Sequence, residues 1–295
     1  METLVASTSE VVSRRSFLKT AMFGAGGLAL YAGEFERHWL EVVHKEISIG
    51  GLPPAFEGAR LAQLSDIHLD EFTEPFLLRE AIDEINRAQP DYVLLTGDYV
   101  TSQVLPPHLT AEAARQCGRL LNRIACPRRY AIFGNHDIFA GEKEVGGALR
   151  ANGIEVLRNN YVPLERNGSR VWLAGLDDPV CGEPDPDRAI PSSIRNIPQE
   201  PVILMCHAPD YLDEFREHPA AKSVALMLSG HTHGGQIRLP LVGALRLPPG
   251  GRKYVEGLFK VDGIQLYVNR GIGSVGVPFR FDCRPEITLF TLRNA

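Results

Sequence analysis

The chain repeats one arrangement, in which a short apolar run rich in β-forming residues is followed at once by polar residues. Near-continuous apolar runs of this length are typical of strands buried on both faces of a sheet. The runs and the residues after them are Arg60–Leu64 before Asp66, Tyr92–Thr96 before Gly97-Asp98, Tyr130–Phe133 before Gly134-Asn135, Val171–Ala174 before Asp177-Asp178, Val202–Met205 before His207, and Val224–Leu228 before Gly230-His231. Because ligands gather at the strand ends of such sheets, we expect the polar residues to form one site.

Helical and hairpin patterns separate and follow these runs. Apolar residues recur at helical spacing over Glu74–Ala88 and over Ala111–Ile124, with Thr110 as the predicted N-cap of the second helix. Asn167-Gly168, between two β-rich segments, predicts a tight hairpin. The part from Gln236 onward predicts strands and turns. The sequence therefore predicts an α/β fold with two sheets packed face to face and helices outside.

Composition excludes several classes of protein. The 295 residues are 44% hydrophobic and 23% charged, which is ordinary for a globular fold. A net charge of -5 leaves no basic footprint, so we expect no nucleic-acid partner and disfavour a nuclease. The five cysteines show no C-x-x-C spacing, which argues against a zinc knuckle or a redox motif.

The N-terminal segment is typical of a twin-arginine export signal. Ser13-Arg14-Arg15-Ser16-Phe17-Leu18-Lys19 is followed by the apolar stretch Ala21–Gly33, which is short for a membrane span and has no clean cleavage site. The alternative is an amphipathic first helix with an incidental arginine pair. We predict that residues 1–38 form a signal or N-terminal membrane tether and that residues 39–295 form one catalytic domain. The twin-arginine translocase is then a partner, and the location is the periplasm or the outer face of a bacterial cytoplasmic membrane.

Five polar clusters carry the predicted chemistry. They supply two carboxylates, one amide and four or five imidazoles from a chain with nine histidines. Oxygen ligands mixed with imidazole suit Mn, Fe or Zn, and this number of ligands predicts two divalent ions, which promote in-line displacement at phosphorus. The clusters are Asp66-Ile67-His68, Gly97-Asp98, Gly134-Asn135-His136-Asp137, His207, and Gly230-His231-Thr232-His233.

The spacing within the clusters suggests how the ligands are shared. Asp66 and His68 alternate along the chain, so on extended backbone both point to one side, and His231 and His233 do the same. The carboxylate of Asp98 has two oxygens and can bridge two ions. Taken singly, each cluster also has a structural explanation, such as a turn at Gly97-Asp98. The joint order of the clusters favours the metal centre.

The Gly134-Asn135-His136-Asp137 cluster offers more than ligands. The amide oxygen of Asn135 is a neutral hard ligand, and His136 beside it can stabilise charge or protonate the leaving oxygen. We expect Asp137 to hold the imidazole of His136 in position, as outer carboxylates do. The alternative is an Asx turn with a surface histidine.

The ordered motifs D-x-H, G-D, G-N-H-D, H and G-H-x-H, over roughly Leu61 to Leu292, resemble those of the calcineurin-like metallophosphoesterase family. The chain looks closest to the bacterial branch with a twin-arginine signal, in which the motif Gly-His-Thr-His-Gly-Gly-Gln, here residues 230–236, leads into a β-rich tail. The family implies a four-layer α/β/β/α sandwich of two mixed sheets flanked by helices.

The resemblance also implies two ligand shells and a mechanism. One ion would be held by Asp66, His68, Asp98 and His233, and the other by Asp98, Asn135, His207 and His231. His136 would be the phosphate-contacting acid, with Asp137 as its partner. Thr101 stands where the purple acid phosphatases carry a ligating tyrosine, so an iron–tyrosinate centre is not expected. A hydroxide bridging the ions would attack phosphorus in line, with no covalent intermediate.

The sequence constrains the identity of the substrate less than it constrains the type of reaction. We expect a phosphodiester or pyrophosphate in a phospholipid-like or nucleotide-linked lipid, and association with a membrane. A phosphomonoesterase of the same fold and a metal-stabilised envelope-binding module without turnover are the alternatives. The apolar loop Leu239–Leu247 is interpreted as hairpin core in preference to the lining of an acyl-chain groove.

Overall fold

Two six-stranded mixed sheets form the centre of the computed structural model, which describes residues 14–69, 72–102, 104–197 and 199–295. The first sheet has the strand order β1-β14-β2-β3-β4-β5 and the second β12-β13-β9-β8-β7-β6. The strands are β1 Glu41–Ile49, β2 Arg60–Leu64, β3 Tyr92–Leu95, β4 Arg129–Ala131, β5 Glu155–Val156, β6 Asn160–Arg166, β7 Ser169–Gly175, β8 Val202–Met205, β9 Val224–Ser229, β10 Arg238–Leu239, β11 Gly243–Ala244, β12 Gly257–Val261, β13 Ile264–Val268 and β14 Glu286–Asn294.

Three apolar layers hold the sheets and helices together. The layer between the sheets contains Leu61 and Phe290 from the first sheet and Leu173 and Leu228 from the second. The outer layers pack helices on the other faces of the sheets. The helices are α1 Arg14–Leu30, α2 Pro75–Ala88, α3 Pro107–Leu121, α4 Asn135–Arg150, α5 Pro186–Ala189, α6 Ser192–Arg195 and α7 Leu212–Phe215. The predicted four-layer α/β/β/α sandwich is confirmed.

Two of the helices that flank the first sheet, α2 and α3, overlap the predicted segments, and α3 begins and ends earlier than the predicted Ala111–Ile124. Helix α2 begins with Pro75 at its first position, where a missing N–H costs nothing, and ends at Gln89 in the left-handed conformation. Helix α3 begins at Pro107, so the prediction of Thr110 as its N-cap is wrong. Thr110 lies inside the first turn because Pro107 is already preset for helix, and its hydroxyl donates to the Leu105 carbonyl at 3.4 Å.

The strand predictions hold in the second sheet and for β2, whereas β3 and β4 of the first sheet end earlier than predicted. Asn167 and Gly168 have φ of 49° and 78° and join β6 to β7, which confirms the predicted hairpin. Strand β4 ends at Ala131, two residues before the predicted end at Phe133. The chain leaves the ladder there because it turns toward Gly134 and the polar cluster.

Helix α1 projects from the body, and the segment after it packs against the body. The described side chains of α1 are exposed. The Arg280 backbone N–H donates to the Ala32 carbonyl at 3.0 Å, and Glu36 accepts from the Cys283 backbone N–H at 2.7 Å. In the part of the chain that the structure describes, no helix combines the length and apolarity needed to cross a membrane. Ser13 of the twin-arginine motif lies outside the described residues.

The loop Leu239–Leu247 forms the small hairpin β10–β11. Its interpretation as hairpin core is wrong, because Leu241 is fully exposed and Val242 is 70% exposed. Each strand of the hairpin has two residues, which is too short to fold its tip back onto the body.

Replacing Phe290 by Ala tests the layer between the sheets. The ring is 1% exposed and meets the Tyr267 ring edge-on, with centroids 5.1 Å apart. We expect the free energy of unfolding to fall by about 3–5 kcal/mol in urea titrations, because a large apolar side chain leaves a cavity. Arg293→Ala, which removes only surface ion pairs of the same strand, should cost about 1 kcal/mol or less. Equal losses in the two variants would contradict this packing.

Candidate metal centre

The five predicted clusters meet at the carboxyl ends of the central strands of both sheets. Strands β2 and β3 lead to Asp66 and Asp98, and β8 and β9 lead to His207 and His231. Two groups of candidate ligands result, each with its ligand atoms within 4.8 Å of one another. The first group is Asp66, His68 and His233, and the second is Asp98, His207 and His231.

Asp98 lies between the two groups. Its Oδ2 atom is 3.5 Å from Nε2 of His68 in the first group and 3.1 Å from Nε2 of His207 in the second. Its Oδ1 atom accepts the backbone N–H of His136 at 2.9 Å, which fixes the carboxylate plane. One oxygen of Asp98 is therefore placed to be shared by two cations.

Each of the four histidines of these groups has one ring nitrogen tied to an oxygen of the protein. A carbonyl can only accept a hydrogen bond, so in the neutral rings of His207, His231 and His233 the nitrogen facing it carries the proton and the other nitrogen has a free lone pair. The hydroxyl that faces His68 can donate or accept. The pairs are His207 Nδ1 with the Thr96 carbonyl at 2.7 Å, His233 Nδ1 with the Gly273 carbonyl at 3.1 Å, His231 Nε2 with the Pro249 carbonyl at 2.8 Å, and His68 Nδ1 with the Thr101 hydroxyl at 3.0 Å.

Several ligand atoms are buried without a hydrogen-bond partner among the described residues. They are Nε2 of His68, Nε2 of His207 and Oδ1 of Asn135. Leaving a polar atom buried and unpaired is costly, and a bound cation removes that cost for all three atoms. The residues therefore fit a pair of divalent metal ions.

The backbone of the ligand residues is strained rather than extended. Asp66, His68, Asp98, His231 and His233 all have φ between 47° and 72°, in the left-handed region that non-glycine residues rarely adopt. The expectation that alternating residues point to one side on extended backbone is therefore wrong. Asp66 and His68 share a group through this twisted loop, whereas His231 and His233 belong to different groups.

Gly97 allows the loops after β3 and β4 to meet at Asp98. Its φ is 98°, and a Cβ there would lie 2.6 Å from the Gly134 nitrogen and 2.8 Å from Nδ1 of His207. A side chain at this position would separate Asp98 from Asn135 and His207. The glycine in the G-D motif is therefore required by the close approach of two loops.

Burial and mutual repulsion shift the pKa values of the ligands. Burial raises the pKa of Asp66 to about 6, and the charge of Asp98 adds to this. Burial lowers the pKa of His68 to about 3 and that of His231 to about 4, so both imidazoles are neutral near pH 7. Although burial opposes it, the Asp98 carboxylate raises the pKa of His207 well above its usual range. The site thus favours positive charge beside Asp98.

The structure corrects the pairing of Asp137 with His136. The Asp137 carboxylate accepts the backbone N–H groups of Asp98 at 2.7 Å, Tyr99 at 2.8 Å and Gly134 at 2.9 Å. It is turned away from the imidazole because three donors from two loops surround it. Asp137 therefore ties the G-D loop to the G-N-H-D loop.

Ser102 takes the position expected of Asp137. The Ser102 backbone N–H donates to Nδ1 of His136 at 3.1 Å, and its Oγ lies 3.0 Å from the same nitrogen. Because Nδ1 accepts, the proton of the neutral ring is on Nε2. The His136 ring lies 4.9 Å from the His68 ring and is partly exposed, so Nε2 is available to a substrate. No spacing rule in the sequence pointed to Ser102.

Asp178 is a second residue of the site for which no role was predicted from the sequence. It is fully buried, and its Oδ2 accepts the backbone N–H groups of Val180 and Cys181. Its Oδ1 has no partner among the described residues. Burial raises the pKa of Asp178 to about 6, while the charge of His207 lowers it. The Asp177-Asp178 pair at a strand end was the available signal.

Arg280 supports the site from beneath. The side chain is fully buried, and its guanidinium donates to the carbonyls of Arg270 at 3.0 Å and Cys283 at 3.1 Å. It also donates to the carbonyl of Gly273, which in turn accepts from His233. The Gly273 backbone N–H donates to the Asp66 carbonyl at 2.7 Å. Arg280 therefore fixes the loop that orients two ligands of the first group.

The fold and the two ligand groups define a dinuclear metallohydrolase. A sequence profile of the calcineurin-like phosphoesterase family matches residues 59–235, which include all of these ligands. The chain belongs to the calcineurin-like phosphoesterase family. It is a metal-dependent phosphoester hydrolase, and its two candidate ligand groups correspond to the two divalent metals of this fold.

Two relatives of similar length and one longer relative are similar to this chain over nearly its whole length. The chain is 36% identical over 294 residues to the uncharacterized metallophosphoesterase YkuE of Bacillus subtilis (strain 168), covering 96% of this chain and 98% of YkuE. It is 31% identical over 291 residues to the phosphodiesterase YaeI of Escherichia coli (strain K12), covering 96% and 100%. It is 31% identical over 301 residues to a transmembrane protein with metallophosphoesterase domain of Danio rerio, covering 98% and 66%.

Thr101→Val tests how the second hydrogen bond of a ligand controls metal binding. The substitution keeps the shape of the side chain but leaves Nδ1 of His68 without its hydroxyl partner. We expect metal affinity to fall about 10- to 100-fold in calorimetric titrations with Mn²⁺. Thr110→Val is the matched control, because Thr110 is equally buried and lies on α3. A similar loss in both variants would contradict a specific role for Thr101.

The pH dependence of metal binding follows from the pKa of Asp66. Its value of about 6 lies above the usual carboxyl range, so below pH 6 a proton competes with the cation. His207, with its raised pKa, adds a second competing proton, whereas neutral His68 adds none. We expect Mn²⁺ affinity to fall by at least about tenfold for each pH unit below 6. Constant affinity from pH 7 to pH 5 would be inconsistent with this.

Proposed function

We propose that the chain hydrolyses a phosphodiester or pyrophosphate bond with the help of two divalent ions. Seven side chains are the proposed ligands of these ions. Asp66, His68, Asp98 and His233 would hold one ion, and Asp98, Asn135, His207 and His231 the other. The observation that carries this proposal is the position of Asp98 Oδ2, within 3.5 Å of a histidine of each group. The unpaired buried atoms of His68, His207 and Asn135 support the same assignment.

The chain's own residues divide the remaining work. When bound, the ions supply Lewis acidity toward phosphate oxygens and lower the pKa of water toward neutrality. His136 donates from Nε2 to a phosphate oxygen or to the leaving oxygen, because its Nδ1 is occupied by Ser102. Asp137 holds together the loops that carry Asp98 and Asn135, so His136 and the ligands keep their relative positions.

We further propose a diester in a phospholipid-like or nucleotide-linked lipid as the substrate. The name of the relative YaeI, a phosphodiesterase, supports a diester. The exposed apolar residues of α1 and of the β10–β11 hairpin support a lipid environment. The twin-arginine motif supports export by its translocase to the outer face of the membrane, with residues 1–38 as a signal or tether.

Two variants separate metal binding from proton donation. Asp98→Asn is expected to bind fewer than two ions per chain and to lose hydrolysis, because it removes the shared oxygen. His136→Ala is expected to keep its metal content and to lose about 10²- to 10⁴-fold in kcat, because it removes the donor. Metal analysis and rates on bis-(p-nitrophenyl) phosphate measure the two effects.

The same assay tests the class of substrate. Enzyme loaded with Mn²⁺, Fe²⁺ or Zn²⁺ should cleave bis-(p-nitrophenyl) phosphate faster than p-nitrophenyl phosphate and should act on phospholipid or nucleotide-diphosphate lipid. A preference for the monoester would overturn the diesterase assignment. Unchanged kcat in His136→Ala would remove that residue from the mechanism.

A further inference from the structure

The tip of the β10–β11 hairpin exposes a group of large apolar side chains. Leu241 is fully exposed, Val242 is 70% exposed and Leu245 is 56% exposed. With Leu239, the loop Leu239–Leu247 exposes four large apolar side chains within nine residues. Together they form a larger apolar surface than scattered single residues do. Contiguous exposure of this kind marks a surface that is covered by something else in the working protein.

This hairpin rises directly from the metal-binding loop. The turn His233–Gly235 contains a candidate ligand and is three residues before β10. Gly235 lies against Ala244, so close that a Cβ on the glycine would collide with that side chain. The Leu245 backbone N–H donates to the Ile237 carbonyl at 3.0 Å. Whatever covers the hairpin tip is therefore held beside the metal centre.

A second apolar surface lies at the end of helix α1. Leu30 is 57% exposed, Phe35 61% and Trp39 52%, and within α1 itself Met22 and Phe23 are more exposed still. The guanidinium of Arg284 lies over the Trp39 ring, 3.6 Å from its centroid. Within α1, Gly24, Gly26 and Gly27 have no neighbouring atom within 4 Å of a Cβ position. The helix is thus apolar and uncovered along its described side chains.

One short strip of chain joins the two apolar surfaces. The Arg280 backbone N–H donates to the Ala32 carbonyl at 3.0 Å, and the Phe281 ring meets the Tyr31 ring edge-on at 6.4 Å. Phe281 also makes two backbone hydrogen bonds with the base of the hairpin. Its N–H donates to the Gln236 carbonyl at 3.0 Å, and its carbonyl accepts from the Arg238 N–H at 2.9 Å. The foot of α1 and the hairpin are therefore neighbours at the same end of the molecule.

Exposed basic side chains belong to the same chain segments as both apolar surfaces, although the chain as a whole carries a net charge of -5. Arg246 and Arg252 follow the hairpin and are exposed, and within the described ranges neither guanidinium pairs with a carboxylate. Arg14, Arg15 and Lys19 are exposed at the start of α1. Apolar residues bordered by unpaired arginines are complementary to the interface of a bilayer that contains anionic lipids.

We propose that Leu241 and Val242 insert into the interface of an anionic phospholipid bilayer, beside helix α1, and hold the opening of the metal centre at the headgroups. Arg246 and Arg252 lie over the anionic headgroups. This assigns a docking surface to the hairpin and does not depend on which phosphoester is cleaved. The metal centre then meets phosphates that are presented by the membrane itself.

The first test measures partition of the full chain onto vesicles. With phosphatidylcholine vesicles containing phosphatidylglycerol, the double variant Leu241→Asp/Val242→Asp should lower the partition coefficient by about tenfold or more, because two apolar side chains are lost. Arg246→Ala and Arg252→Ala should each lower it by about fivefold, and only when phosphatidylglycerol is present. Lys260→Asp is the control with the same change in net charge.

Lys260 suits this purpose because it is exposed and lies near the end of β12 that is farther from the metal-binding loops. It pairs with Gln265 at the start of β13, and β13 runs parallel to β9, whose far end leads to His231. Lys260 therefore lies at the opposite end of its strand from Glu256, which pairs with Arg238 at the base of the hairpin. Its substitution should leave partition onto vesicles nearly unchanged.

The second test measures whether the hairpin tip enters the bilayer, and it does so even when α1 contributes to vesicle binding. Fluorescence of the Val242→Trp variant should gain a component that brominated phospholipid quenches, beyond that of Trp39 and Trp172 in the unaltered chain. Lys260→Trp should gain none. All variants should cleave bis-(p-nitrophenyl) phosphate at the rate of the unaltered chain, because none is in contact with a ligand of the metal centre.

Three results would overturn the proposal. They are an unchanged partition coefficient in Leu241→Asp/Val242→Asp, no added quenching in Val242→Trp, and a change of oligomeric state in either variant by light scattering, which would make the hairpin a protein contact. Failure of the unaltered chain to cleave the soluble diester would contradict the proposed function alone. The vesicle result is read independently of it.

Discussion

The metal centre depends on one constraint, the burial of the Asp98 carboxylate between two groups of histidines. An ionised carboxylate in a closed interior is costly unless opposite charge or hydrogen-bond donors surround it. Here Oδ1 has a backbone donor, and Oδ2 faces Nε2 of His68 and of His207. The strained loops, the glycine beside Asp98 and the tautomers of the histidines all serve this arrangement, which is complete when cations occupy it.

The two sheets contribute to the centre in different ways. The first sheet supplies the carboxylates, His68 and Asn135, and the second supplies His207, His231 and His233. Neither sheet alone holds a complete group, because each group combines residues from both. The apolar layer between the sheets therefore affects the metal centre indirectly, because it sets the separation of Asp66 from His233. Beneath the site, the buried guanidinium of Arg280 fixes the loop that orients both residues.

Much of this was predictable, and the failures have physical causes. The ligand types and the two packed sheets follow from motifs that each end a buried strand, whereas the grouping of ligands around Asp98 and the four-layer order were implied by the family resemblance. The partner of His136 was predicted wrongly, because adjacency in sequence suggested Asp137 whereas the loops bring Ser102 to the ring. Alternation was also misleading, because it assumes extended backbone and His231 and His233 lie in left-handed conformations.

The sequence by itself determined the class of chemistry, because carboxylates, an amide and imidazoles at strand ends favour a pair of divalent ions and displacement at phosphorus. It also determined the apolar and basic residues at α1 and at the hairpin. Only the tertiary structure decided which ring nitrogens face the ions, which serine orients His136, and that the hairpin tip and α1 share one end of the molecule. Those features depend on contacts between residues far apart in the chain, such as Phe281 with Tyr31 and with Gln236, and local patterns carry no information about them.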